Sequence, residues 1–184
     1  MNSAPKVLRS QEVFKGRVFS VRVDEIQYED GSVHVLDVVE HGASLAILAT
    51  PAPAQVVLVR QYRHPVRTSL WEVPAGTSEP GESPVEAARR ELREETGYTA
   101  GRLRRIGSFW TTPGFCSEVI HIFHADELVA GAPQFDDDER IEIGTFTFEA
   151  AWRLAAEGIA DAKTMLALSW LKGARGEIGT SASR

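Results

Sequence analysis

The sequence predicts an α+β fold in which a mixed β-sheet is sandwiched with helices. Three observations predict it: β-branched apolar runs up to residue 75 and again after residue 101, one well-marked helix in mid-chain, and two amphipathic stretches near the end. No internal repeat, low-complexity linker or second core interrupts that order. At 184 residues the chain suits one domain with a small extra arm.

Residues 1–10 read as a loose lead-in. VFSVRVDEI alternates Val21, Val23 and, less regularly, Ile26 with polar residues; Glu29-Asp30-Gly31 signals a turn, and VHVLDVV resumes the strand. SLAILAT and QVVLVRQY are apolar and β-branched, as buried strands are, with Pro51-Ala52-Pro53 as the break between them. TSLWEVPAG is a short strand running into a Pro-Ala-Gly turn. After the polar loop TSEPGES, Ser83 is a good N-cap, Pro84 suits the first helical position, Glu86 completes a capping box, and Gly97 fits a left-handed stop. Val85, Ala88 and Leu92 form the apolar stripe of this helix, Pro84 to Thr96. RLRRIGSFW and SEVIHIFHADEL read as strands around the loop TTPGF, and DDDERIEIGTFTF as an acidic loop entering another strand. EAAWRLAAEG and DAKTMLALSWLKG close the fold as helices, and the last residues read as a frayed tail.

A hydrophobic fraction of 43% with 25% charged residues is that of a soluble globular protein. The net charge of -6 argues against a nucleic-acid partner, which would need a basic face to neutralise phosphates. One cysteine, Cys116, makes neither an internal disulfide nor a cysteine zinc site, and a reducing compartment is the simpler reading. The N-terminus lacks the apolar core of a signal peptide, and no apolar run nears the roughly 18 residues of a membrane span. A cytoplasmic location without a membrane partner is expected.

The mid-chain helix carries Glu91 and Glu95 beside its apolar stripe, with Glu94 further round on the same flank. Like charges at such spacings destabilise an isolated helix by a few tenths of a kcal/mol per pair. Glu86–Arg90 and Arg90–Glu94 are spaced to offset part of this. Taken alone, the cluster reads as an ordinary solvated face. Its context adds a Pro-Ala-Gly turn able to offer a carbonyl, and the loop carboxylate Glu82; a hard divalent cation such as Mg²⁺ wants such oxygen ligands.

GTSEPGESPVEAARRELREETGY, Gly76 to Tyr98, resembles the Nudix box: Gly76, Glu82, Arg90, Glu91, Leu92, Glu94, Glu95, Gly97 and Tyr98 all fall in register. Tyr98 departs mildly from an aliphatic final residue. The resemblance implies a Nudix fold, an α/β/α sandwich around a mixed sheet. It also implies a loop–helix–loop holding Mg²⁺, or Mn²⁺ in its place, against a diphosphate. By that likeness Glu91, Glu94 and Glu95 are metal ligands, Glu82 acts through water or at an additional ion, and the Ala75 carbonyl is a backbone ligand. Arg90 would orient the glutamates, and the ions would relieve their repulsion.

Pro113, sixteen residues after Gly97, resembles the mark of the ADP-ribose pyrophosphatase branch; without the box it would read as a loop stiffener. LVRQYRHP and WEVPAG are similar to stretches of ADP-ribose and nucleoside diphosphate sugar hydrolases. That likeness gives Arg63 a contact with substrate phosphates or ribose, in keeping with guanidinium recognition, while Arg60 reads as a surface residue. Glu72 reads either as a base or ribose contact or as an exposed strand residue. The N-terminal section resembles an arm exchanged across a homodimer, with Phe14 or Phe19 stacking on the base, though aromatics on strands also pack as core. The implied boundaries are 1–43 for this arm, 44–174 for the hydrolase domain and 175–184 for a disordered tail.

In the resembling branch a carboxylate of the acidic loop activates the attacking water. Glu139 is the first candidate general base, with Asp137 and Glu142 as alternates and Glu94 of the box a further catalytic carboxylate. His64, His121, His124 and Cys116 show no ligand spacing and read as structural. The expected reaction is Mg²⁺-dependent hydrolysis of ADP-ribose, or related nucleoside diphosphate sugars, to a nucleoside monophosphate and a sugar phosphate. GDP-mannose or another sugar nucleotide is the alternative substrate. A non-catalytic ligand-binding domain is disfavoured, since every box glutamate is present.

Overall fold

The computed structural model describes residues 3–135, 140–174 and 176. The chain divides into two compact units, Met1–Ala43 with Phe109–Val119, and Ser44–Ser108 with Ile120–Arg184.

The first unit holds an antiparallel sheet of β1 (Lys6–Lys15), β2 (Phe19–Gln27) and β3 (Val33–His41), in that order. Residues 6–10, expected as a lead-in, are strand: Lys6 pairs with Gln27 and Ser10 with Asp24. Every residue of β1 is exposed. With neither face buried there is no alternation to read, and only the partner strand fixes the extended backbone. The expected turn joins β2 to β3, with Gly31 at φ 83 and the Asp30 carboxylate accepting from the Ser32 amide (2.9 Å) and hydroxyl (2.6 Å).

The second unit is built on a mixed sheet containing β4 (Ser44–Ala49), β5 (Gln55–Arg63), β6 (Thr68–Glu72), β7 (Ala75–Thr77), β8 (Thr99–Trp110), β9 (Val119–Val129) and β10 (Ile141–Thr147). Its order is β10-β5-β4-β9-β8, with β6 paired to β5 and β7 to β4. β4 and β9 run parallel, while β5 is antiparallel to β4, β6 and β10. Three helices complete it: α1 (Pro84–Thr96), α2 (Phe148–Ala156) and α3 (Ala162–Ala174).

The period of two along the strands assigns the layers. Leu45, Ile47 and Ala49 of β4, with Val57 and Phe123, pack with Ala87, Ala88 and Leu92 of α1. Ala46 and Leu48, with Val56, Leu58 and Ile122, pack with Phe148, Ala151 and Ala155 of α2 and Ala167 and Leu168 of α3. Because both faces are covered, the strands read as continuous apolar runs. This is the α/β/α sandwich expected. No helix among the described residues is long and apolar enough to cross a membrane.

The signals at the ends of α1 are realised. Ser83 and Glu86 form the capping box, worth on the order of 1 kcal/mol, and Gly97 takes φ 75 at the C-cap. Two details differ from the expectation. Val85, in the first turn, is 41% exposed, and Ala87 takes the buried position instead. Glu86 is committed to the cap, so the Glu86–Arg90 pair is absent and Arg90 turns to Glu82. β7 was not foreseen, since three residues after a proline are too few to show a period.

Candidate active site

The carboxylates converge at the loop from β7 into α1 and along one side of that helix. Arg90 is the hub. Its Nε and Nη2 each donate to a different oxygen of Glu82 (both 3.0 Å), Nη1 donates to Glu91 (2.9 Å) and Glu94 (3.0 Å), and Nη2 reaches the Thr77 carbonyl (3.1 Å). The hydrogen bonds to Glu82, with the field of Glu91 and the hydrogen bonds to Glu94 and Glu91, outweigh burial and hold the guanidinium above its already high pKa. The same contact from Arg90 keeps the Glu82 carboxyl below its usual value.

Glu95 is placed differently. It lies within the buried arc of α1, only 3% exposed, rather than beside it. One of its oxygens accepts from the Ala75 backbone amide at 3.0 Å, tying the helix to β7. Glu91 lies against Gly76, where a Cβ would stand 2.0 Å from its Oε1 and 2.1 Å from its Cδ. The glycine leaves room for the carboxylate in this position, and any Cβ there would make the Glu91 side chain shift.

Sequence-predicted residues outside the box separate into those the fold gathers and those it does not. Arg63 and Glu72 form a bidentate pair, Nε to Oε1 at 2.8 Å and Nη2 to Oε2 at 2.9 Å. Glu72 is no exposed strand residue: it is 2% exposed and also accepts from the Lys163 ammonium. Burial pushes its carboxyl up, but the bonds from Arg63 and Lys163 outweigh this and hold it below the ordinary range. Among the charges acting on Arg63 is Glu95, so the pair lies within electrostatic reach of the carboxylate helix. Glu142 faces Arg60 across β10 and β5 at 3.3 Å, with 62% of its side chain exposed. Asp137 and Glu139 lie outside the described residues, as do 175–184 apart from Gly176. Phe14, Phe19 and Pro113 belong to the first unit. The two phenylalanine rings pack on each other, centroids 5.7 Å apart, and both are exposed. Pro113 is in the turn in which the Thr112 carbonyl accepts from Phe115 N and Cys116 N.

Lys163 and Asp161 were missed. Asp161 caps α3, accepting from Thr164 N (3.0 Å) and Thr164 Oγ1 (2.6 Å), and meets Lys163 Nζ at 3.0 Å. An Asp three residues before Thr164 is a legible cap signal. The Lys163–Glu72 contact, 91 residues apart, has none.

Among the described residues, no three His, Cys, Asp or Glu side chains already form a metal cage, because Arg90 draws Glu82, Glu91 and Glu94 to itself. The donor set nonetheless fits a hard divalent ion. It is all oxygen, it holds four carboxylates against one guanidinium, and Gly76 keeps a cradle open under Glu91. Gly76→Ala is therefore expected to push the Glu91 carboxylate aside and weaken Mn²⁺ binding by about 10–100-fold. Titration calorimetry with Mn²⁺ on the full chain checks this, and unchanged affinity would remove Glu91 from the donor set.

A family model described as NUDIX domain matches residues 40–168. An ADP-ribose pyrophosphatase from Bacillus subtilis (strain 168) is 36% identical, over 91% of this chain and 92% of the relative. A methanol dehydrogenase activator from Bacillus methanolicus is 35% identical over the same shares. A GDP-mannose pyrophosphatase from Klebsiella pneumoniae is 34% identical over 80% of this chain and 81% of its own length. A crystal structure of an ADP compounds hydrolase superimposes with a TM-score of 0.83, covering 97% of this chain and 99% of that one at 24% identity, a likeness of fold.

Proposed function

The chain belongs to the NUDIX domain family, and from that premise we propose that it hydrolyses the diphosphate bridge of ADP-ribose to AMP and ribose 5-phosphate, and accepts related nucleoside diphosphate sugars. The observation that carries this is the gathering of Glu82, Glu91 and Glu94 on Arg90 with Glu95 tied to Ala75, in a chain 36% identical to an ADP-ribose pyrophosphatase.

Enzymes of this family generally need a divalent metal; here Mg²⁺, with Mn²⁺ able to substitute, would be held by Glu91, Glu94, Glu95 and the Ala75 carbonyl, with Glu82 further out. Such an ion, when bound, neutralises the diphosphate and makes its phosphorus a better target for water. The protein's own groups do the rest. Arg63 offers a guanidinium to the phosphates or terminal ribose. A carboxylate of the acidic loop takes the proton of the attacking water, Glu139 first and Asp137 next. What supports a base from that loop is its described entry: Gln134 N donates to the Glu94 carbonyl at 2.8 Å, so the chain leaves the carboxylate helix just before it. Glu142, already paired with Arg60, is the weaker candidate.

Residues 1–43 are proposed as the arm of a homodimer, with Phe14 or Phe19 stacking on the base and Pro113 shaping a substrate loop. The apolar side chains exposed on the three-stranded sheet, among them Val7, Val13, Phe14, Phe19, Val33 and Val35, support that role. A monomeric mass in solution at micromolar concentration would refute it. A cytoplasmic setting, with neither nucleic acid nor membrane as partner, completes the reading.

Purified protein with Mg²⁺ and ADP-ribose should release AMP and ribose 5-phosphate; absence of both products would sink this substrate. The GDP-mannose pyrophosphatase relative favours a second reading, and kcat/KM across a panel of sugar nucleotides decides between them.

A further inference from the structure

Arg63 uses only one edge of its guanidinium inside the protein. Nε and Nη2 are fixed on the two oxygens of Glu72, while Nη1 makes no hydrogen bond among the described residues and the side chain is 37% exposed. A planar guanidinium clamped along one edge has its other edge aimed in a fixed direction, ready for two-point contact with an oxyanion.

The clamp is itself held. Glu72 ends β6, is buried, and accepts from Lys163 on the oxygen that also receives Arg63 Nη2. Lys163 is fixed in turn by Asp161 at 3.0 Å. The first turn of α3 is pinned to the end of β6, because the buried Thr164 hydroxyl accepts from Val73 N at 3.0 Å and donates to Asp161. Glu72 therefore cannot swing. It lies three residues before Ala75, whose amide holds Glu95, so the clamp and the carboxylate helix share one short stretch of backbone.

We propose that Glu72 and Lys163 are positioning residues for Arg63: the chain Asp161–Lys163–Glu72 locks one edge of the guanidinium so that the opposite edge faces the substrate's diphosphate. This rests on the proposed function for its substrate. It assigns Glu72 a role through Arg63 in place of a direct contact with base or ribose, and it brings α3 into the site. A flexible arginine would lose rotamer freedom each time it bound, whereas this one is ordered beforehand.

The test compares wild type, Glu72→Gln, Arg63→Ala, their double variant, Lys163→Met and Lys163→Arg, all as full chains with Mg²⁺. Steady-state kinetics on ADP-ribose run beside calorimetric titration with ADP, a probe that needs no turnover. Glu72→Gln and Lys163→Met should each raise KM, and the Kd of ADP, by about tenfold with kcat within about twofold, and Lys163→Arg should restore most of the loss. Adding Glu72→Gln to Arg63→Ala should change KM no further, since the partner it positions is gone. Additive effects would show that Glu72 meets substrate directly and overturn the proposal. So would a fall in melting temperature with KM and Kd unmoved, the mark of a purely structural pair, or wild type that fails to bind ADP. If wild type binds ADP but leaves ADP-ribose intact, the substrate reading falls while the cycle on ADP still decides the positioning role.

Discussion

Glu95→Gln is expected to lower the turnover of ADP-ribose by about 10²–10³-fold, the range for removing one group that stabilises charge developing in the transition state. The substitution keeps the shape of a side chain that is 3% exposed, and its amide oxygen can still accept from the Ala75 amide. Stability should therefore change by about 1 kcal/mol or less. What is lost is one negative charge at the joint between α1 and β7. Glu86→Gln, on the same helix but committed to the cap at Ser83, is the matched control and should retain activity, because glutamine serves a capping box. Full activity in Glu95→Gln would take this residue out of the proposed metal-binding set and leave the carboxylate cluster without its proposed purpose.

Glu72→Ala should give the largest loss of stability. Removing the carboxylate leaves Arg63 and Lys163 facing each other around a buried gap. Breaking a buried pair in this way costs about 3–5 kcal/mol, and the low end applies because 37% of the Arg63 side chain reaches solvent. The cost should depend on pH. The folded carboxyl lies below its unfolded value, so its contribution is complete above about pH 5 and is lost as pH falls through the folded value. Urea unfolding of wild type and variant should thus show a wide gap at pH 7 that narrows in acid. A gap of equal size at both pH values would mean that Glu72 is not ionised in the native protein.

The legibility of this chain follows from how local each signal is. The limits of α1 are written in adjacent residues, Ser83, Pro84, Glu86 and Gly97, and the structure realises each. The sheet strands β4, β5 and β9 announce themselves by apolar runs because both of their faces are covered. The start of β1, residues 6–10, hides because neither of its faces is buried and its hydrogen bonds belong to β2. At the site, the glutamates and Arg90 lie within one motif and could be named. Two facts about them could not: that Glu95 sits inside the buried arc, and that Gly76 leaves room for Glu91. Both depend on how α1 rests on β7. Lys163 was invisible for the same reason in stronger form, since its partner Glu72 lies on another element far along the chain. Arg63 and Glu72 could each be picked out, but their mutual embrace required the strand pairing of β5 with β6.

Arg90 has a thermodynamic consequence beyond charge balance. Three carboxylates from a loop and a helix are already collected around one guanidinium. An arriving cation would exchange partners with side chains whose torsional freedom was surrendered during folding, so little disorder remains to be lost at the moment of capture. Arg90→Lys preserves the charge yet offers one ammonium where a planar fork now spans three acids. Capture by that variant should carry a visibly more unfavourable entropy, measured as the temperature dependence of Mn²⁺ affinity.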